Sequence, residues 1–194
     1  MDKMLSKKEQ RRLAREAKEV RAEERRKRAR RNRQLTIAGV LILAVAIAGW
    51  AVWASTRSKP GAAYPDQGRE HIARGAPHPP YNSNPPTSGW HDASPAPWGY
   101  YPNEIADEIL VHNLEHGGVW ISYRDPKDEE VSNKLFELSK RFPKKVIITL
   151  RPKNDSRIAV AAWTRLLKLD RYDERVILDF IKAYRNKGPE TVFD

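Results

Sequence analysis

IADEILVHNLEHGGVWISY, at residues 105–123, contains the clearest structural pattern in the chain. Isoleucines and histidines recur there at the spacing of one helical face, which predicts a helix. The residues on this face are Ile105, Ile109, His112 and His116. The glycine pair at 117–118 predicts the end of the helix, and Val119–Tyr123 is typical of a short strand. The segment therefore predicts a helix followed at once by a strand.

Further elements follow toward the carboxyl terminus. Apolar spacing predicts a helix at 131–142, which Pro143 ends, and a last helix at 176–184. Strands are predicted at 145–150 and 158–163, with a turn between them. This order predicts an α+β fold, in which helices pack on a small mixed sheet of three or more strands. The order is similar to that of a thioredoxin-like half-fold, but the chain has no cysteine for dithiol redox chemistry.

Residues 58–103 hold most of the 14 prolines, which predicts extended chain and turns instead of regular structure. A plain linker of this composition would be a flexible spacer. This segment also carries several tryptophans and tyrosines and three of the five histidines. We therefore expect a proline-rich but ordered loop layer that packs on the domain.

The segment Leu35–Ala54 is uncharged and apolar over 20 residues, which is the length needed to cross the hydrocarbon core of a bilayer. Trp50 and Trp53 lie at one end, where amphipathic rings favour the membrane interface, and arginines crowd the other end. The positive-inside bias predicts a transmembrane helix at 35–55 with the amino terminus in the cytoplasm and the main domain outside the cell membrane.

A cleaved signal peptide is the alternative for this segment, and Val52-Trp53-Ala54 resembles a cleavage site. The apolar run is longer than the usual hydrophobic region of a signal peptide, and the charged region before it is very long. These two features favour an uncleaved, single-pass anchor.

The first 34 residues form a basic arm. They hold 15 Lys and Arg against 6 Asp and Glu, so they supply +9 of the net charge of +11. The arm lacks Gly and Pro and is predicted to be a cytoplasmic helix, solvated or in contact with anionic lipid headgroups. Because residues 35–194 carry only +2, we expect no specific nucleic-acid partner. Residues 56–66 are predicted to be a linker, and 67–194 an extracytoplasmic domain.

The histidines point to a metal site. His112 and His116 are four residues apart, so in a helix both rings lie on one face about a turn apart. His91 follows a stiff proline-containing turn and is the first choice for a third ligand, with Glu115 as a fourth ligand or an outer-shell partner. His71 and His78 are further candidates. Without cysteine, the ligands must be nitrogen and oxygen, for which zinc or copper are the expected ions.

Two other interpretations stay open. His112-x-x-Glu115-His116 matches a zinc-peptidase pattern in which the glutamate activates water, so Glu115 is also a candidate catalytic residue of a zinc-dependent hydrolase. Alternatively, the histidines are structural and the domain is a cell-envelope interaction module that binds a protein partner. Asp107 and Glu108, in the first turn of the same predicted helix, are expected to be solvated.

Two longer motifs resemble a known family. They are YNSNPPTSGWH at residues 81–91 and VHNLEHGGV at residues 111–119. His71-Ile72, Ala162-Trp163 and Pro189-Glu190 also fit its pattern. With these motifs the chain resembles domain of unknown function 3105, found in bacterial membrane-anchored proteins, over about residues 67–190. The resemblance implies a short amino-terminal tail, one membrane span and an outer domain, but no activity. Members with cysteines in the loop layer exist, and this chain departs from them.

Overall fold

The computed structural model describes residues 7–56, 59–190 and 192. Parts of the predicted arm (1–6), linker (57 and 58) and outer domain (191, 193 and 194) therefore lie outside the described residues. The chain divides into two compact units, with the boundary between Ser58 and Lys59.

The first unit contains one helix, α1 (Lys7–Thr56). Its section Lys18–Trp53 includes an apolar window with a mean hydropathy of 2.5, which is long and apolar enough to cross a membrane. Large apolar side chains along this section are exposed, among them Leu41, Ile42 and Val45. A continuous exposed apolar surface of this kind is unfavourable in water and favourable in a bilayer.

The second unit is built on a six-stranded mixed sheet. Its strands are β1 (Ala62–Ala63), β4 (Gly99–Tyr101), β5 (Val119–Tyr123), β6 (Val146–Leu150), β7 (Ile158–Ala162) and β8 (Arg165–Leu169). They lie in the order β1-β8-β7-β5-β6-β4, and β4, β6 and β5 are parallel while β7, β8 and β1 alternate in direction. A separate parallel pair consists of β2 (His71–Ile72) and β3 (His91–Asp92).

Helices cover both faces of the large sheet. Because side chains alternate along a strand, Val119 and Ile121 of β5 face one core while Trp120 faces the other. The first core is closed by α3 (Glu129–Ser139) and α4 (Glu174–Tyr184), and the second by α2 (Asp107–Glu115). Leu110 and Leu114 of α2 are fully buried there, so the helix is fixed on the sheet by its apolar face.

These observations confirm the predicted α+β class, with a long apolar helix before a mixed sheet and its helices. The predicted order of helices and strands from 105 onward is also found, with ends that differ by a few residues. The prediction missed β8 and the four short strands of the proline-rich segment. Those four strands have two or three residues each, too few for a period of two to be recognised.

Candidate metal centre

The loop layer brings two histidines side by side. In the parallel pair of β2 and β3, His71 lies opposite His91. The backbone N–H of His91 donates to the Glu70 carbonyl at 3.1 Å, and that of Gly89 donates to the Gly68 carbonyl at 3.0 Å. Each of these bonds joins residues 21 apart in sequence, so backbone pairing places His71 and His91 side by side.

The last turn of α2 presents the other side chains of the site. His112 and Glu115 are three residues apart and therefore neighbours on the helix surface. Both residues are 3% exposed. Gly117 follows in a left-handed conformation, with φ of +78°, which ends the helix directly after His116. This last turn lies against β3, since His112 Nδ1 is 2.7 Å from the carbonyl oxygen of Asp92.

Four side chains converge between these elements. The ligand atoms of His71, His91, His112 and Glu115 all lie within 4.8 Å of one another. The Nε2 atom of His91 is 2.9 Å and that of His71 is 3.5 Å from Glu115 Oε2. Ligands of a tetrahedral ion with bonds of about 2.0–2.1 Å are separated by roughly 3.3 Å, so small shifts would fit this set to one ion.

Two of the imidazoles have their orientation fixed by backbone carbonyls. His91 Nδ1 lies 2.7 Å from the Gly89 carbonyl oxygen, and His112 Nδ1 lies 2.7 Å from that of Asp92. A carbonyl oxygen only accepts, so each Nδ1 must carry the proton and donate it. In the neutral rings the lone pair is then on Nε2, the atom that faces the cluster. Metal-binding histidines show this same outer-shell arrangement.

His112 lies in this cluster beside one buried carboxylate, that of Glu115. Burial lowers the pKa of His112 from its ordinary value; the hydrogen bond to Asp92 offsets part of this, and the nearby His116 and His91 lower the pKa further. Among the residues that the structure describes, the ion-pair partners of the Glu115 carboxylate are the imidazoles of His91 and His71. A buried carboxylate that keeps its negative charge is stabilised by a nearby cation, which a bound metal ion would supply here.

His116 lies beside this cluster and belongs to a neighbouring group. Its Nε2 is 3.0 Å from His112 Nε2, which confirms that the two rings share a helical face. Its ligand atom lies within 4.8 Å of those of Glu115 and Glu190. Glu190 is thus a candidate that sequence reasoning missed as a ligand, although Pro189-Glu190 was noted as part of a family pattern.

His78 is placed elsewhere. Its Nδ1 donates to the Pro79 carbonyl at 2.7 Å, and its Nε2 is 3.3 Å from Glu108 Oε1 in the first turn of α2. The structure therefore brings together His71, His91, His112 and Glu115, sets His116 next to them, and keeps His78 apart. Sequence analysis treated His71 only as a further candidate, whereas the structure places it within the cluster.

The first turn of α2 corrects another expectation. Asp107 is not solvated but forms a double hydrogen bond with Arg151, at 2.8 Å for both Nε and Nη2. The Arg151 side chain is 7% exposed and also contacts Asn84 and Asn154. This buried pair fixes the amino-terminal end of the helix that carries the candidate site.

Comparison with known proteins identifies a family and no function. The model of the family described as "Protein of unknown function (DUF3105)" matches residues 77–193. The chain belongs to this family, as the motifs at 81–91 and 111–119 indicated. No curated protein and no solved structure gives a significant match.

Proposed function

We propose that this DUF3105 protein binds a transition-metal ion in its outer domain. The ligands are His71, His91, His112 and Glu115. The observation that carries the proposal is the fixed orientation of two buried imidazoles, whose Nδ1 atoms donate to the Gly89 and Asp92 carbonyls. The Nε2 of His91 then lies 2.9 Å from the buried Glu115 carboxylate, and His112 offers a ligand atom within 4.8 Å of it.

A bound ion resolves the charge balance of this cluster. Without one, the Glu115 carboxylate has only imidazoles as ion-pair partners among the described residues, and the His91 side chain beside it is fully buried. A buried imidazolium carries a desolvation cost. A divalent ion instead uses the Nε2 lone pairs and the carboxylate directly, and it leaves both Nδ1–H donors with their carbonyl acceptors.

Zinc or copper are the ions that suit this ligand set best. Three imidazoles and one carboxylate offer borderline nitrogen donors and a single negative charge. Four protein ligands complete a tetrahedral shell, which is typical of closed zinc sites, whereas zinc hydrolases keep one position open for water. The closed set therefore favours a binding function over the hydrolase alternative, and we assign no reaction to the site.

We further propose that the domain is held at the outer face of the cell membrane. The apolar section of α1 supports a single membrane span. The excess of Lys and Arg before it supports a cytoplasmic amino terminus, with anionic lipid headgroups as partners of the arm. A metal site in this position would be accessible from outside the cytoplasm.

The metal content of the purified protein tests the binding proposal. The full-length chain, carrying an affinity tag without histidine, is purified in detergent, loaded with Zn²⁺ or Cu²⁺ and passed over a desalting column. Elemental mass spectrometry then compares the wild type with the double variant His91→Ala/His112→Ala. The matched control is His78→Ala, which removes a histidine that also pairs with a glutamate of α2.

We expect stoichiometric metal in the wild type and in the control, and loss of metal in the double variant. Circular dichroism of the double variant separates loss of ligands from loss of fold. Wild-type protein that retains no metal after loading contradicts the proposal. The envelope interaction module would then be the better account of the histidines.

A further inference from the structure

Glu115 belongs to two groups of possible ligands, and the other two members of the second group have no role in the site proposed above. The second group combines Glu115 with His116 and Glu190, whose ligand atoms lie within 4.8 Å of one another. We infer that His116 and Glu190 form a second divalent-cation subsite, which shares the Glu115 carboxylate with the first. This inference rests on the proposed function, because the shared carboxylate joins both ions.

The carboxyl-terminal segment is held against the end of α2 by its backbone. The N–H of Asn186 donates to the Gly117 carbonyl at 2.7 Å, and that of Glu190 donates to the Glu115 carbonyl at 3.1 Å. Gly188 lies so close to the helix end that a Cβ atom there would be 2.1 Å from the Glu115 carbonyl oxygen. The segment is therefore fixed where it places Glu190 beside His116, with Oε2 3.5 Å from Nε2.

The hydrogen bond between His112 and His116 links the two subsites. His112 Nδ1 donates to Asp92, so at the 3.0 Å contact His112 Nε2 accepts and His116 Nε2 donates. An ion at the first site takes the Nε2 lone pair of His112, and His116 then loses its acceptor. Its ring becomes available to Glu190 and to a second ion, so filling the first site prepares the second.

A shared carboxylate has the right chemistry for two ions. It has two oxygens and can give one to each ion, as in two-metal sites whose ions lie about 3.5–4 Å apart. The second subsite offers one imidazole and two carboxylates, a harder set than the first, which suits ions such as Zn²⁺ and Mn²⁺.

The second subsite is more open than the first. The side chains of His116 and Glu190 are 14% and 49% exposed, and a cavity of about 360 Å³ lined by Pro95–Trp98 lies against His116. The ammonium group of Lys145 donates to the His116 carbonyl and adds a positive charge nearby. With only three protein ligands and this charge, the second ion is bound more weakly and retains open positions toward solvent.

Zinc stoichiometry measured on the full-length chain tests the inference. The apoprotein in detergent is titrated with Zn²⁺ alone in the presence of a competing chromophoric chelator. The variant is Glu190→Gln, which keeps the shape of the side chain and removes its charge. The matched control is Glu137→Gln, an exposed glutamate of α3 that pairs with Lys140.

We expect two equivalents in the wild type and in Glu137→Gln, the second bound at least about 10-fold more weakly, and one equivalent in Glu190→Gln. The variant His116→Ala should also retain the first equivalent. One equivalent in both the wild type and Glu190→Gln overturns the second subsite and leaves the first. Two equivalents in Glu190→Gln also overturn it, since Glu190 is then no ligand. No zinc in any protein refutes both proposals.

Discussion

The two ends of α2 each carry a buried or nearly buried carboxylate, but the charges are compensated differently. At the amino-terminal end, Asp107 is paired with the guanidinium of Arg151, which is always charged. At the carboxyl-terminal end, Glu115 is surrounded by His71, His91 and His112. At one end the compensating cation belongs to the chain, whereas at the other end we propose that it is a metal ion from solution.

Two histidine–glutamate pairs show how a candidate metal site differs from a simple contact between side chains. His78–Glu108 and His91–Glu115 both join the loop layer to α2, and in both the histidine Nδ1 donates to a backbone carbonyl. The first pair has partly exposed side chains, and the second is buried and has further imidazoles around it. The convergence of four possible ligands, more than the pair itself, is the basis on which we propose a metal site.

The largest expected effect is at the amino-terminal end of α2. Arg151→Met removes the guanidinium and leaves Asp107 without its charge partner, which should lower the free energy of unfolding by about 3–5 kcal/mol. Urea unfolding of the full-length protein in detergent, with and without Zn²⁺, measures this. The neighbouring exposed Lys153→Met is the control. If Arg151→Met lowered the free energy of unfolding only when metal is bound, the two ends of α2 would not be compensated independently, which would contradict this comparison.

Removal of the metal should destabilise the wild type through the carboxyl-terminal end. With free Zn²⁺ at about 100 times its dissociation constant, binding stabilises the folded state by about 2.7 kcal/mol, and a chelator abolishes this. Thermal unfolding with Zn²⁺ and with chelator should therefore give different midpoints for the wild type. His91→Ala/His112→Ala should show a much smaller difference, and a difference as large as that of the wild type would place the stabilising ion elsewhere.

Glu115→Gln should weaken metal binding while keeping the shape of the site. The amide removes the negative charge that attracts the ion, and we expect a roughly 10–100-fold higher dissociation constant, a factor comparable with the loss of an important outer-shell partner. Competition titration with Zn²⁺ measures it. Glu108→Gln, at the other end of the same helix, should bind like the wild type. Equal weakening in both variants would indicate a general electrostatic effect of α2.

The smallest expected effect concerns an ion pair that lies away from α2. Hydrogen bonds from Arg157 lower the pKa of Asp128, the residue that caps α3. Because the folded pKa lies below the unfolded one, the pair stabilises the protein above the unfolded pKa, and this is lost as the pH falls through the folded value. In Asp128→Asn the pH dependence of the unfolding midpoint should be slightly shallower below pH 5. If the wild type and Asp128→Asn showed the same pH dependence, the ion pair would make no measurable contribution to stability.

The sequence predicted the fold where periodicity was long enough to read. The helices α2, α3 and α4 have a regular apolar spacing, the strands β5, β6 and β7 are short, mostly apolar runs, and all six were found. β8 has the sequence RLLKL, in which charged residues flank a double leucine and hide the alternation. The short strands β1 to β4 depend on contacts with distant segments, which local propensity does not encode.

The candidate site could be predicted only where its residues are neighbours on one helix. His112, Glu115 and His116 are neighbours on one helix, so their spacing alone relates them. The proximity of His91 was inferred from its stiff turn, but the pairing of His71 with His91 depends on the register of β2 and β3. Glu190 reaches His116 only because a glycine at 188 allows close approach of two backbones. Such long-range contacts have no signal within a single stretch of sequence.

Anomalous X-ray diffraction from crystals of the zinc-loaded protein tests the central claim most directly. Data collected on both sides of the zinc absorption edge locate the ion without reference to activity or stability. The account predicts a strong anomalous peak about 2 Å from the Nε2 atoms of His91 and His112 and from a carboxylate oxygen of Glu115. A peak only at another location, or no zinc peak within residues 59–194, would contradict it.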